Sequence, residues 1–75
     1  MSNETQIPMN AESMNAIVNA LGALVFATVR QLPEDKQTAF ANDLARLAKL
    51  EEKRGDLATE TLLLDLHRAA TAAAS

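Results

Sequence analysis

The side chains of this chain best suited to chemistry are one histidine and two carboxylates on the predicted third helix. His67 is the only histidine, and Asp56 and Glu60 fall on its helical face. A metal site or an acid–base pair would require these groups to converge. At about 1.5 Å of rise per residue, Glu60 lies roughly 10 Å from His67 along the helix axis, whereas zinc ligands sit about 2 Å from the ion. The spacing excludes a metal site within one helix and leaves open only a site shared between subunits.

The other polar residues do not form a catalytic pattern. The chain has one histidine and no cysteine, so a nucleophile oriented by a base has few sources. Glu51 and Glu52 lie among basic residues and predict a solvated helix end. Gly22 and Gly55 are the only glycines, too few for a phosphate-binding loop. We therefore expect a protein that is not an enzyme and has no catalytic residue, cofactor or metal.

Composition and charge further narrow the possible functions of the protein. The chain has 75 residues, a net charge of −3, no cysteine and two aromatic residues. Acidic and basic residues are interspersed after Arg30, without the basic stripe that nucleic-acid binding requires. Residues 1–6 carry no Lys or Arg, unlike the start of a secretory signal. We expect a cytoplasmic protein that binds neither nucleic acid nor membrane.

The most informative stretch is residues 13–29, which contain no charged side chain and lie between Glu12 and Arg30. A helix of this composition has no fully polar face and must be covered by a core, a partner or a membrane. A membrane span needs about 20 predominantly apolar residues, and Asn15 and Asn19 interrupt this one. The helices that follow are amphipathic and can cover it in water. Membrane association is kept as an alternative.

Capping residues predict where the helices begin and end. Asn10 is a good N-cap residue, and Pro33 suits the first position of a helix. Gly55 tolerates a positive φ and Asp56 can cap the next helix; an uninterrupted helix through Gly55 is the competing interpretation. The chain is predicted to be all-α, with one helical domain at residues 10–75, helices at about 11–31, 33–54 and 57–73, and a flexible tail at residues 1–9.

Apolar periodicity predicts which face of each helix is buried. On helix 1 a heptad seam passes through Leu21, which is expected near the centre of the buried arc. The inner face of helix 2 is expected to contain Phe40, Leu44 and Leu47. Gly22 is expected to mark a point of close helix packing. These faces predict a helical hairpin with a third helix packed on it.

The small size of the chain predicts self-association. A chain of this length hides only roughly 60% of its unfolded surface on folding, and without disulfides oligomerisation is the common supplement. A second copy is therefore expected to complete a homo-oligomeric helical bundle, most simply a homodimer. The expected interface residues are Ile17, Ala20, Leu21, Leu24, Ala27, Leu57 and Leu64.

These expectations describe a protein–protein interaction module whose partner is itself, with room for a further unidentified protein partner. An alternative stays open. A small regulator, of transcriptional or phage type, that acts through a protein or DNA partner fits the same size and helix content.

Overall fold

A computed structural model describes residues 10–75, and within that range the only regular elements are three helices. They are α1 (Ala11–Arg30), α2 (Glu34–Arg54) and α3 (Leu57–Ala74). The all-α class and the number of helices are thus confirmed. The flexible tail expected at residues 1–9 lies outside the described residues.

Local capping explains where the first two helices start. The side chain of Asn10 accepts a hydrogen bond from the N–H of Ser13 at 2.8 Å, as an N-cap residue does. Pro33 has an extended ψ of 156° and precedes α2 as its N-cap residue, so the helix begins one residue later than the sequence suggested. Its carbonyl oxygen accepts from the N–H groups of Lys36 and Gln37, which opens the helix without a side-chain cap.

Gly55 separates α2 from α3. Its φ is +84°, and its N–H donates to the last carbonyls of α2. This left-handed conformation ends the helix at little steric cost because glycine has no Cβ. Asp56 then caps α3 by accepting from the N–H of Thr59 at 3.1 Å. The competing interpretation, one helix continuing through Gly55, is therefore wrong.

Helix α3 lies between the other two helices. It packs along α2 as an antiparallel hairpin and along α1 as a parallel neighbour, whereas α1 and α2 barely touch. The principal extents of the fold are 46 × 31 × 17 Å. Because α1 and α2 barely touch, the three helices form an open layer with α3 in the middle and not a closed bundle.

The buried core is small and made mostly of alanine. Its main cluster joins one residue of α1, one of α2 and two of α3: Val29, Ala41, Ala70 and Ala73. Ala48, on the same side of α2 as Ala41, is also buried. Small side chains let the helix backbones approach closely, and larger residues pack around the edge of the cluster.

Within the subunit, α1 and α2 bury residues beside their leucines. Leu21 is partly buried and Val29 is the fully buried residue of α1, and the burial expected of Leu21 against a second copy stays a prediction. On α2, Leu47 is 45% exposed instead of inward-facing. Helix α3 packs against a stripe of α1 and a stripe of α2 that lie beside the leucines, because the smaller residues in these stripes allow closer contact.

Candidate interaction surface

The positions of α1 and α2 around α3 define two faces of the layer. Gly22 of α1 faces Ala69, with 4.0 Å from the position of a Gly22 Cβ to the Cβ of Ala69. On the other side, Nδ1 of His67 lies 2.8 Å from the carbonyl oxygen of Ala41 in α2. His67 and Ala69 are two positions apart on α3, so their side chains lie about 200° apart around the helix axis, or about 160° apart measured the other way. The helices α1 and α2 therefore flank α3 on nearly opposite sides.

One face of the layer is lined by leucines from all three helices. Phe40 and Leu44 of α2 pack against the core cluster, as does Val25 of α1. Farther around α2 from its contact with α3, the next apolar residue is Leu47. Farther around α1 from its contact with α3, the next apolar residues are Leu21 and then Leu24. On α3, Leu66 lies on the shorter arc between the side that faces α1 and the side that faces α2. We call the surface formed by Leu21, Leu24, Leu44, Leu47 and Leu66 the leucine face.

Two residues of the leucine face are exposed in the single subunit, whereas Leu21, Leu44 and Leu66 are partly buried. Leu24 is 63% exposed, and Leu47 is 45% exposed. Near the start of α1, Met14 is 48% exposed. Met14 and Val18 border an open cavity of about 310 Å³ between α1 and α3, with Leu62 among the residues of α3 that line it. The two helices are therefore closely packed at the C-terminal end of α1 and separated at its N-terminal end.

The opposite side of the layer is different in character. Leu64 of α3 borders a smaller cavity of about 180 Å³ together with Ala45 and Lys49 of α2. Glu52 and Glu60 line the same cavity. We call this side, with Leu57 and Leu64 of α3, the reverse face. Leu57 and Leu64 are 63% and 40% exposed, and charges of both signs lie beside Leu64.

The structure distributes the expected interface residues unequally between these faces. Leu21 and Leu24 lie on the leucine face, and Ile17 lies beside them. Ala20 and Ala27 are exposed on the outer edge of α1, away from α3. Leu57 and Leu64 lie on the reverse face. Leu47 was expected to be inside, and its exposure was not foreseen because an apolar stripe on a helix does not reveal which part of it a neighbour will cover.

Ion pairs do not hold the helices together. Within residues 10–75 each ion pair joins two residues of the same helix three positions apart: Asp43 with Arg46, Glu51 with Arg54, and Asp65 with Arg68. Exposed pairs of this kind contribute about 0.3–0.5 kcal/mol each. Among the described residues, contact between helices therefore depends on apolar packing and on the hydrogen bond from His67 to Ala41.

The candidate chemical groups stay apart in the fold. Nδ1 of His67 donates to the carbonyl of Ala41, since a carbonyl oxygen only accepts. Asp56 is committed to capping α3: the N–H of Thr59 and then its hydroxyl donate to the carboxylate, and they lower the pKa of Asp56 below its ordinary value of 3.8. No group of three or more metal-binding side chains comes together among the described residues.

Helix α1 has the length and composition to cross a membrane. Its most apolar 18-residue window has a mean hydropathy of 1.3, and 6% of that window is buried within the subunit. A core helix of a soluble protein also reaches such a hydropathy, but it is then mostly buried. The low burial therefore indicates that α1 presents its apolar surface outward, whatever covers it.

Comparison of this chain with protein families, with curated proteins and with solved structures finds no match.

Proposed function

We propose that this protein is a small, non-enzymatic interaction module that forms a homodimer through the apolar surface of α1. One observation carries the proposal. Residues 13–29 contain no charge, yet Val29 is the only buried residue of α1 within the subunit. Water-exposed apolar surface on this scale marks an interaction site in soluble proteins.

The energetic argument supports the same conclusion. Covering a leucine such as Leu24 stabilises by about 1.5–3 kcal/mol relative to leaving it in water. The subunit core, by contrast, consists largely of alanines, which contribute little apolar area each. A second copy of the chain therefore supplies a share of stability that the subunit lacks. Ile17, Leu21 and Leu24 are the central residues of this interface, with Ala20 and Ala27 at its edge.

Leu24→Asp tests the proposal with little risk of unfolding the subunit, because Leu24 is 63% exposed within it. Asn19→Asp is the matched control, since it adds the same charge to the other side of the same helix. Wild-type protein and the control should sediment as dimers at micromolar concentration, and Leu24→Asp should sediment as a monomer with its helix content retained. A wild-type protein that is monomeric across this concentration range would refute the proposal.

A second candidate function is attachment to a membrane through α1, which the mean hydropathy of 1.3 favours. Asn15 and Asn19 within the helix and the net charge of −3 weigh against it. Flotation with liposomes of neutral and anionic lipid separates the two candidates. Under the membrane alternative the protein rises with the vesicles and leaves them only in detergent, and under the homodimer proposal it stays in the dense fraction.

A further inference from the structure

We infer that Met9 and Ile7 fold back over the first turns of α1 and fill the open cavity between α1 and α3. The occupant of the cavity is then the segment of this chain that directly precedes Asn10, and not a second copy or another molecule. The inference goes beyond the proposed homodimer and does not depend on it, because the contact lies within one subunit.

The cap of α1 favours a contact between two methionines. Asn10 is the N-cap residue, with a ψ of 179° and a side chain that accepts a hydrogen bond from the N–H of Ser13. At helix starts of this kind, an apolar residue just before the N-cap often packs against the residue four positions after the N-cap. In this chain those two residues are Met9 and Met14. The sequence therefore has an apolar side chain at each of the two positions that this motif joins.

Met14 lies beside an open cavity and lacks cover. Its side chain is 48% exposed. Met14 and Val18 line one wall of the cavity of about 310 Å³, and α3 forms the other wall. The α3 residues that line the cavity are Ala58, Thr59, Thr61, Leu62 and Asp65. Most of the exposed lining is apolar, so water in the cavity has few hydrogen-bond partners and an apolar side chain is the favoured occupant.

The segment before α1 is within reach of this cavity. Met9 is joined directly to Asn10, and Met14 lies only about 6 Å farther along the helix axis. Ile7 is two residues before Met9, and an extended chain advances about 3.3 Å per residue. Pro8 favours an extended conformation at Ile7. Because side chains two positions apart in an extended chain point to the same side, Ile7 and Met9 enter the cavity together.

The two side chains also match the cavity in size. A methionine and an isoleucine side chain have four heavy atoms each. At the roughly 30 Å³ that one water molecule occupies in the liquid, the pair needs on the order of 240 Å³. The cavity of about 310 Å³ has room for both side chains.

This contact divides the apolar surface of α1 into two parts. Met14 and Val18 are covered by residues of their own chain, and the exposed apolar surface around Leu24 stays open to a second copy. The flexible tail that composition predicts at residues 1–9 is then shortened to residues 1–6, which are polar apart from Met1.

Isotope labelling of the methionine methyl groups tests the contact directly. The chain has three methionines, so the spectrum is simple, and Met9→Leu and Met14→Leu variants assign the signals. We expect a nuclear Overhauser effect between the methyl groups of Met9 and Met14. Labelled chains mixed with an excess of unlabelled chains should show the same effect, because both methionines belong to one chain. Absence of the effect, or its loss on mixing, which would mean that a second copy fills the cavity, would overturn the inference.

Met9→Ala and Gln6→Ala form a matched pair of variants for a second test. The two natural side chains are equally long, and both positions precede α1, so neither substitution changes the composition of a helix. Met9→Ala should lower the melting temperature by about 4–8 °C, because an apolar side chain loses its cover in a domain of this size. Gln6→Ala should melt as the wild type does.

The Met14→Ala background identifies the partner of Met9. Met9→Ala should lower the melting temperature much less in this background than in the wild type, because the methionine that it contacts is already absent. An unchanged melting temperature for Met9→Ala alone, or a loss of the same size in both backgrounds, would contradict the contact.

Discussion

The α2–α3 hairpin and helix α1 differ in how far they are buried within the subunit. In the hairpin, Gly55 reverses the chain, Ala41 and Ala48 are buried, and His67 donates a hydrogen bond from one helix to the other. Helix α1 is about as long as α2, yet it is buried only at Val29 and separates from α3 near Met14. The helix with the fewest charges is therefore the helix with the least internal cover.

This contrast indicates that the hairpin and α1 are stabilised in different ways. The hairpin is stabilised by local connections, since a short turn brings its two helices together at low entropic cost. Helix α1 reaches α3 only after the chain has passed through α2, and it retains an apolar surface that nothing in the subunit covers. In the proposed homodimer, the hairpin supports α1, and α1 presents the surface for the partner.

The largest expected effect comes from breaking the single point where α1 is fully buried. Val29→Asp places a carboxylate without a cationic partner among Ala41, Ala70 and Ala73. The free energy of unfolding should fall by about 3–5 kcal/mol, which is comparable with the whole stability of a small domain. Thermal melts followed by circular dichroism measure this change.

The control for this variant is Ala23→Asp, which adds the same charge at an exposed position of the same helix. It should cost less than about 1 kcal/mol. If Val29→Asp melts as the wild type does, the end of α1 is not anchored where the structure places it, and the contrast with the hairpin fails.

The two glycines should respond to alanine in opposite directions, one in each region. Gly55→Ala forces an alanine to a φ of +84° and should destabilise the hairpin by about 1–2 kcal/mol. Gly22→Ala places a methyl group at an ordinary contact distance of 4.0 Å from Ala69 and should stabilise α1 by about 0.5–1 kcal/mol. Urea unfolding of both variants measures the two values. Destabilisation by Gly22→Ala would mean that α1 and α3 approach more closely than the structure shows.

The smallest expected effect concerns the cap at the start of α3. The N–H of Thr59, then its hydroxyl, and finally the charge of Arg54 keep the pKa of Asp56 below 3.8 in the folded protein. A lowered folded pKa means that the charged cap stabilises the fold above the unfolded value of the pKa and loses that contribution as the pH falls through the folded value. Between about pH 5 and about pH 2 the wild type should therefore lose slightly more melting temperature than Asp56→Asn.

Asp56→Asn keeps an oxygen for the cap and removes the titrating group, so the remaining carboxylates serve as the common background. An identical acid dependence in the two proteins would show that the cap does not couple protonation to folding.

Much of the local structure was predictable from the sequence, because helix ends depend on neighbouring residues. Asn10 and Asp56 cap their helices through bonds to residues three positions ahead, and Gly55 ends α2 through its own φ. These interactions span less than one and a half turns of helix. The absence of charge in residues 13–29 likewise predicted that α1 would offer apolar surface beyond its core contact.

What the tertiary structure alone decided is which stripe of each helix a neighbour covers. Leu21, Val25 and Val29 are all apolar, so periodicity could not rank them, and the choice of Val29 depended on alanines of α2 and α3 that are distant in sequence. The same is true of Leu47, which lies outside because Ala41 and Ala48 let α3 approach on the adjacent stripe. Which stripe is buried depends on how closely two helix surfaces fit together, and this fit cannot be read from the hydrophobicity of one helix alone.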